Sequence, residues 1–328
     1  MITVFCIDTL NTIRFGLLIG AVSISTTAVA VENIAVRSIE ESFAISTLMS
    51  DSDALTFGFA NFDLEVDDPG FGNESSTNLK NSLNVFVIPY TWDLVSKSDA
   101  WDHALTIRTF YINSERDSEL FPGVLDTLKQ DTFGVYGSYS QFYHITDNWY
   151  VTSALGLHLT YYKNSYRYGE EFPEETIQEL NGSAFNLSTT AVISEPEVGI
   201  GYEREEKWGT WRAHNKTNYI YGQGFAGSID DPYSINPEGW RITNGIEFTV
   251  SVPELWGVND FLTIDFKRIN LYGDLAAMAD DGYYYETSFG WVIDTNNKIP
   301  MLDNIGIGIS VNYGSSISGA TLVLYWNE

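Results

Sequence analysis

The most regular signal along the chain is an alternation of apolar and polar positions with a period of two, the mark of strands with one apolar face. From Asp303 to Gly314, Ile305, Ile307, Ile309, Val311 and Tyr313 share one face, and Asn304, Gly306, Gly308, Ser310 and Asn312 share the other. From Arg241 to Val252, Ile242, Ile246, Phe248 and Val250 oppose Arg241, Thr243, Gly245, Glu247 and Thr249. A third run sets Trp149, Val151, Leu155, Leu157, Leu159 and Tyr161 against Tyr150, Thr152, Ala154, Gly156, His158 and Thr160. Carried along the chain, the pattern predicts twelve strands, near 54–63, 82–94, 102–113, 131–144, 148–163, 188–203, 208–222, 240–252, 261–272, 282–294, 303–315 and 319–327. Each supplies the roughly 9–11 residues that a tilted membrane strand needs. Tyr and Trp gather toward strand ends, as at Tyr90-Trp92, Trp149-Tyr150, Trp208-Trp211 and Tyr325-Trp326, where an interfacial girdle would sit.

The connections test this independently. In an outer-membrane barrel the outer loops are long and the periplasmic turns short. The first, third, fifth, seventh and ninth connections, near 64–81, 114–130, 164–187, 223–239 and 273–281, are long, while 95–101, 145–147, 204–207, 253–260 and 295–302 are shorter; the eleventh, around Ser315–Ser318, is the exception, short and outer. The inner faces of a soluble sandwich also alternate, but the aromatic ends and the loop asymmetry favour an all-β, transmembrane antiparallel barrel. Pro89 and Pro196 fall inside strands and would each remove a ladder bond, so a bulge or break is expected at both. Asn215 and Thr217 fall on the nominal lipid face of 209–221, which leaves that strand's register open.

Two segments precede the barrel, which the pattern assigns to 54–328. Arg14, the apolar run Phe15 to Ile24 and the closing Ala28-Val29-Ala30 have the form of a secretory signal peptide over 1–30, cut after Ala30. Residues 31–53 do not alternate. Val36, Ile39 and Phe43 recur at helical spacing, predicting a short helix near Ile34 to Leu48. Such a helix either enters the pore from the periplasmic side and plugs it or stays a periplasmic tail, and the pattern leaves both open.

This arrangement, with the ending Ala320-Thr321-Leu322-Val323-Leu324-Tyr325-Trp326, resembles an autotransporter translocator barrel. With only some two dozen residues between Ala30 and the first strand, the chain is similar to the solitary outer-membrane autotransporter-like barrel family of Gram-negative bacteria. The resemblance implies a barrel without a passenger, resident in outer-membrane lipid and lipopolysaccharide. It also implies that the barrel-assembly machinery reads Leu322, Leu324 and Trp326 in the last strand. Here Asn327-Glu328 follow Trp326, a departure from the usual aromatic terminus.

Composition narrows the function further. The net charge of −27 opposes nucleic-acid binding, which needs a basic face, and a single Cys excludes a disulfide scaffold. By parity Arg108, Glu197, Glu203, Arg212, His214, Lys216, Arg241, Glu247, Asp265, Lys267 and Glu286 face the lumen with both signs interleaved, which suits a self-neutralising network better than an open conduit. Catalysis needs a base beside a nucleophile. His158 and His214 face inward, His103 and His144 sit at periplasmic strand ends, and no Ser stands beside them on a lipid face. The expectation is a non-enzymatic envelope barrel without cofactor or bound metal. A small-solute channel gated by the helix and a lipid hydrolase are the alternatives. Acidic outer runs such as Asp63 to Glu74 and Glu170 to Glu179 suit diffuse divalent cations rather than a built site.

Overall fold

The computed structural model describes residues 24–51, 55–62, 81–96, 98, 100–121, 124–169, 174–255, 258–278, 281–299, 302–314 and 318–326. Twelve strands follow a long helix, α1 (Ile24–Met49). They are β1 (Leu55–Phe62), β2 (Asn81–Leu94), β3 (Trp101–Phe121), β4 (Val124–His144), β5 (Trp149–Arg167), β6 (Ser188–Glu206), β7 (Gly209–Gly227), β8 (Glu238–Leu255), β9 (Val258–Gly273), β10 (Tyr283–Ile299), β11 (Leu302–Gly314) and β12 (Ser318–Trp326). Every strand pairs antiparallel with its sequence neighbours, and β1 closes the barrel against β12. Closure satisfies the backbone groups that a bilayer cannot, which is why strands cross membranes only as barrels.

The period-two pattern sorts side chains between wall and lumen. On β5 Leu155, Leu157, Leu159 and Tyr161 are exposed on the outside, whereas Thr152, His158, Thr160 and Tyr162 are buried within. Trp101, Tyr143 and Trp149 rim the exposed wall at its periplasmic end, and Tyr161, Tyr221, Trp240 and Tyr272 rim it at the outer end. In β12, Leu322 is exposed on the wall and Leu324 half-buried, while Trp326 ends the strand opposite Ile305.

Three expectations need correction. The span 114–130 is not a loop: β3 and β4 stay paired out to Phe121 and Val124. The ladder runs on past the alternating stretch, and on β4 Leu128 is buried there against Tyr166, Leu180 and Phe185. Cross-strand contacts mark its base, with the Tyr111 hydroxyl donating to Asp131 at 2.6 Å. The remaining outer connections carry α2 (Glu174–Leu180) and short 3-10 turns at Pro232–Ser234 and Asp274–Met278, and 63–80 lies outside the described residues. Pro89 causes no bulge. It pairs with Arg108 in unbroken register, and on its other side the β1 ladder stops at Thr56 and Val87, so its missing N–H removes nothing there. Pro196 does interrupt pairing on the β7 side: the ladder skips from Ser194–Tyr221 to Glu197–Asn218 with no change of register. Finally, α1 runs longer than expected, from Ile24 through Met49.

Candidate functional site

The helix lies inside the barrel. Its apolar stripe of Val36, Ile39 and Phe43 continues through Ala44 and Leu48. This stripe packs on Tyr162, Leu187, Ile193, Ile220, Ile235, Ile269, Leu271, Leu275 and Tyr284. Ile39 is 1% exposed and Phe43 0% exposed, and the Phe43 ring stands 6.0 Å from that of Tyr162. These partners come from the outer ends of β5 to β10 and from the outer connections, so the helix fills the outer half of the lumen. Glu40 Oε1 accepts the backbone N–H of Asn236 in the β7–β8 connection at 2.7 Å. The N-terminal end of α1 is therefore at the outer mouth and its C-terminal end at mid-barrel, opposite to entry from the periplasmic side. Burial pushes the Glu40 carboxyl above its ordinary range, against the Asn236 amide, which lowers it; Asp274 nearby is raised for the same main reason.

At mid-barrel the chain is clamped. The hydroxyls of Ser46 and Thr47 donate to the carbonyls of Phe43 and Ala44, and that of Ser50 donates to the carbonyl of Thr47, an acceptor that the helix end leaves open. Asp51 follows, where the negative end of the helix dipole disfavours an anion. Two arginines outweigh that. Arg108 Nη1 on β3 lies 2.6 Å from Asp51 Oδ1, and Arg241 Nη1 on β8 lies 2.8 Å from Oδ2. The clamp thus spans the lumen between distant strands. Arg241 Nη2 also meets Glu195 Oε1 at 2.7 Å, and Glu195 Oε2 meets His158 Nε2 at 2.7 Å. Asn218 Nδ2 donates to both Glu195 and Glu197, and Lys216 closes the chain 3.8 Å from Glu197.

The periplasmic half of the lumen carries the other charges named from parity. Arg212 joins Glu203 at 2.7 Å and Glu247 at 3.4 Å, and Lys267 joins Glu286 at 3.1 Å. The His214 ring lies over Gly245, where an added Cβ would come within 2.4 Å of it. Asp265 and His214 are the members of this set with no ion pair among the described residues, and Asp265 opposes Glu247 and Ser288 across its strands. The structure therefore gathers Arg108, Arg241, Glu197 and Lys216 into the clamp and keeps the triad of Arg212, Glu203 and Glu247 and the pair of Lys267 and Glu286 apart from it. Sequence reasoning missed Asp51, Glu195 and Asn218. Glu195 and Asn218 share the parity of Glu197 and Lys216, so parity alone could have found them. Nothing local distinguishes Asp51 from a polar linker residue.

Three of the four histidines have side-chain hydrogen-bond partners among the described residues: His158 and His144 meet carboxylates, and His103 meets a tyrosine hydroxyl. His103 Nδ1 shares a 2.8 Å bond with the Tyr139 hydroxyl on the lipid face, and His144 Nε2 contacts Asp102 at 2.7 Å at a periplasmic end. Among the described residues, no histidine hydrogen-bonds a serine or threonine hydroxyl.

Known structures share this architecture. The transport unit of the autotransporter AIDA-I from Escherichia coli superposes with a TM-score of 0.56 at 12% identity, covering 90% of this chain and 99% of that one. The beta domain of the Bordetella autotransporter Brka gives 0.50 at 11% identity, covering 83% of this chain and 96% of that one. At such identities the likeness concerns the fold. No curated protein matches the sequence. A family model, by contrast, matches residues 40–328, from the buried face of the helix to the last residue. The chain, an outer-membrane protein, belongs to the solitary outer membrane autotransporter beta-barrel domain family.

Proposed function

We propose that this barrel serves the envelope without catalysis and without a passenger, its pore held shut by its own N-terminal helix. The observation that carries this reading is the clamp: Asp51, at the end of α1, joins Arg108 and Arg241 across the lumen while Phe43 seals the outer half. In this reading the signal peptide leaves after Ala30, and the new N-terminus stands at the outer mouth, above the contact of Glu40 with Asn236. A helix docked on some ten apolar side chains is a closed state rather than a filter, because water and ions need a continuous polar path.

Planar-bilayer recording tests the reading. The full mature chain should be silent, and a chain lacking residues 31–50 should conduct. Steady conductance by the full chain would favour a small-solute channel, and silence of both would show that the helix is not what closes the lumen. A lipid-release assay should give no activity that His158→Ala or His214→Ala removes.

A further inference from the structure

The lipid-facing wall carries a polar break. On β7 the outward residues run Trp211, Ala213, Asn215, Thr217, Tyr219, and on β8 they run Trp240, Ile242, Asn244, Ile246, Phe248. Asn215 and Asn244 are cross-strand partners, and each lies midway between two aromatic residues of its strand. Four residues of strand span about 13 Å, so both amides sit well inside the apolar band rather than at a girdle. Their neighbours Arg241, Lys216, His214 and Gly245 point into the lumen, so the outward placement follows from the register.

Asn215 Nδ2 donates to Asn244 Oδ1 at 2.9 Å on the exposed wall. That bond leaves Asn215 Oδ1 and an Asn244 N–H facing hydrocarbon, which offers neither donor nor acceptor. Beside the pair, the small Ala213 leaves a hollow of about 360 Å³ lined by Trp149, Ile200, Tyr202, Ile246, Phe266 and the two asparagines themselves. An acyl chain can fill the hollow but cannot satisfy the amides. A second copy of the same face satisfies both. A two-fold axis along the membrane normal sets Asn215 of one copy opposite Asn244 of the other, so the free carbonyl of each pair meets the free N–H of its mate. Such an isologous contact is self-complementary and keeps both barrels upright.

We infer that β7 and β8 form the docking surface for a second copy of this chain, with the Asn215–Asn244 pair at its centre. The surface is independent of the plug, since it lies on the opposite side of the wall. Native mass spectrometry in mild detergent and photobleaching step counts in lipid nanodiscs read the oligomeric state of the full chain. Wild type should be dimeric. Asn215→Leu/Asn244→Leu should be monomeric while keeping heat-modifiable gel mobility, which shows the barrel folded. Thr109→Leu, an outward change on distant β3, should leave the dimer intact. A monomeric wild type, an unaltered dimer in the double leucine variant, or a monomer carrying a lipid adduct that the variant loses would each overturn the inference.

Discussion

Replacing Asp51 by Ala is the sharpest test of the closed lumen. The change removes both contacts that tie the end of α1 to the wall, at 2.6 Å to Arg108 and 2.8 Å to Arg241. Breaking a buried ion pair costs about 3–5 kcal/mol because a charge is left behind. Two features reduce that here. The Asp51 side chain keeps 36% exposure to lumen water, and Arg241 retains Glu195 at 2.7 Å. A loss of about 2–3 kcal/mol in helix docking is therefore expected. That multiplies the undocked population about 30- to 150-fold. It does not empty the pore, because Ile39, Phe43 and Leu48 remain buried, each worth about 1.5–3 kcal/mol. The barrel wall is untouched, so gel mobility should not change. Single-channel recording should show brief openings far more often in Asp51→Ala than in wild type. An opening frequency indistinguishable from wild type, in protein that is folded, would refute the clamp.

Protonation should tighten docking. Burial raises Glu40 and Asp274, and Asp274 raises Glu40 further, while Arg37 lowers both, Glu41 raises Glu40 and Glu238 raises Asp274. A raised carboxyl penalises the docked state above its own pKa, and that penalty is relieved as pH falls through it; openings should thus become rarer as the solution is made more acidic, and Glu40→Gln should flatten the trend. Gly134→Ala should destabilise the barrel by about 1–3 kcal/mol, read as a lower gel-shift midpoint, because the new Cβ would come within 2.2 Å of Phe110, itself only 2% exposed. An unchanged midpoint would mean that Phe110 moves freely. An epitope placed after Ala30 should bind antibody on intact cells, and protection from antibody would contradict the orientation of α1.

Much of the wall was legible because a membrane strand must alternate. Ile305, Ile307 and Ile309 face outward for the reason their spacing suggests, and all twelve strands appear in sequence order. The outer hairpin 114–130 was not legible, since polar and charged residues such as Glu115, Arg116, Asp117 and Asp126 break the apolar alternation along it. The lumen was half legible. Parity placed Arg212, Glu203 and Glu247 on facing strands, and they meet. Parity could not show that the inward residues of the outer half, such as Ile193, Ile220 and Leu271, are apolar because a helix lies against them. Asn215 left the register of its strand open, and the structure keeps it on the wall as one of a bonded pair.

The sequence by itself determined the class of structure, the number and order of strands, and the membrane in which they fit. Those depend on local periodicity and on the length needed to cross a bilayer, both written along the chain. Only the tertiary structure decided that the helix occupies the outer half with its N-terminal end outward. It also decided that Asp51 joins Arg108 and Arg241, and that the Asn215–Asn244 pair opens onto lipid. Those facts join residues 57, 190 and 29 positions apart. Barrel closure, not sequence proximity, sets such distances, and period-two spacing carries no trace of them.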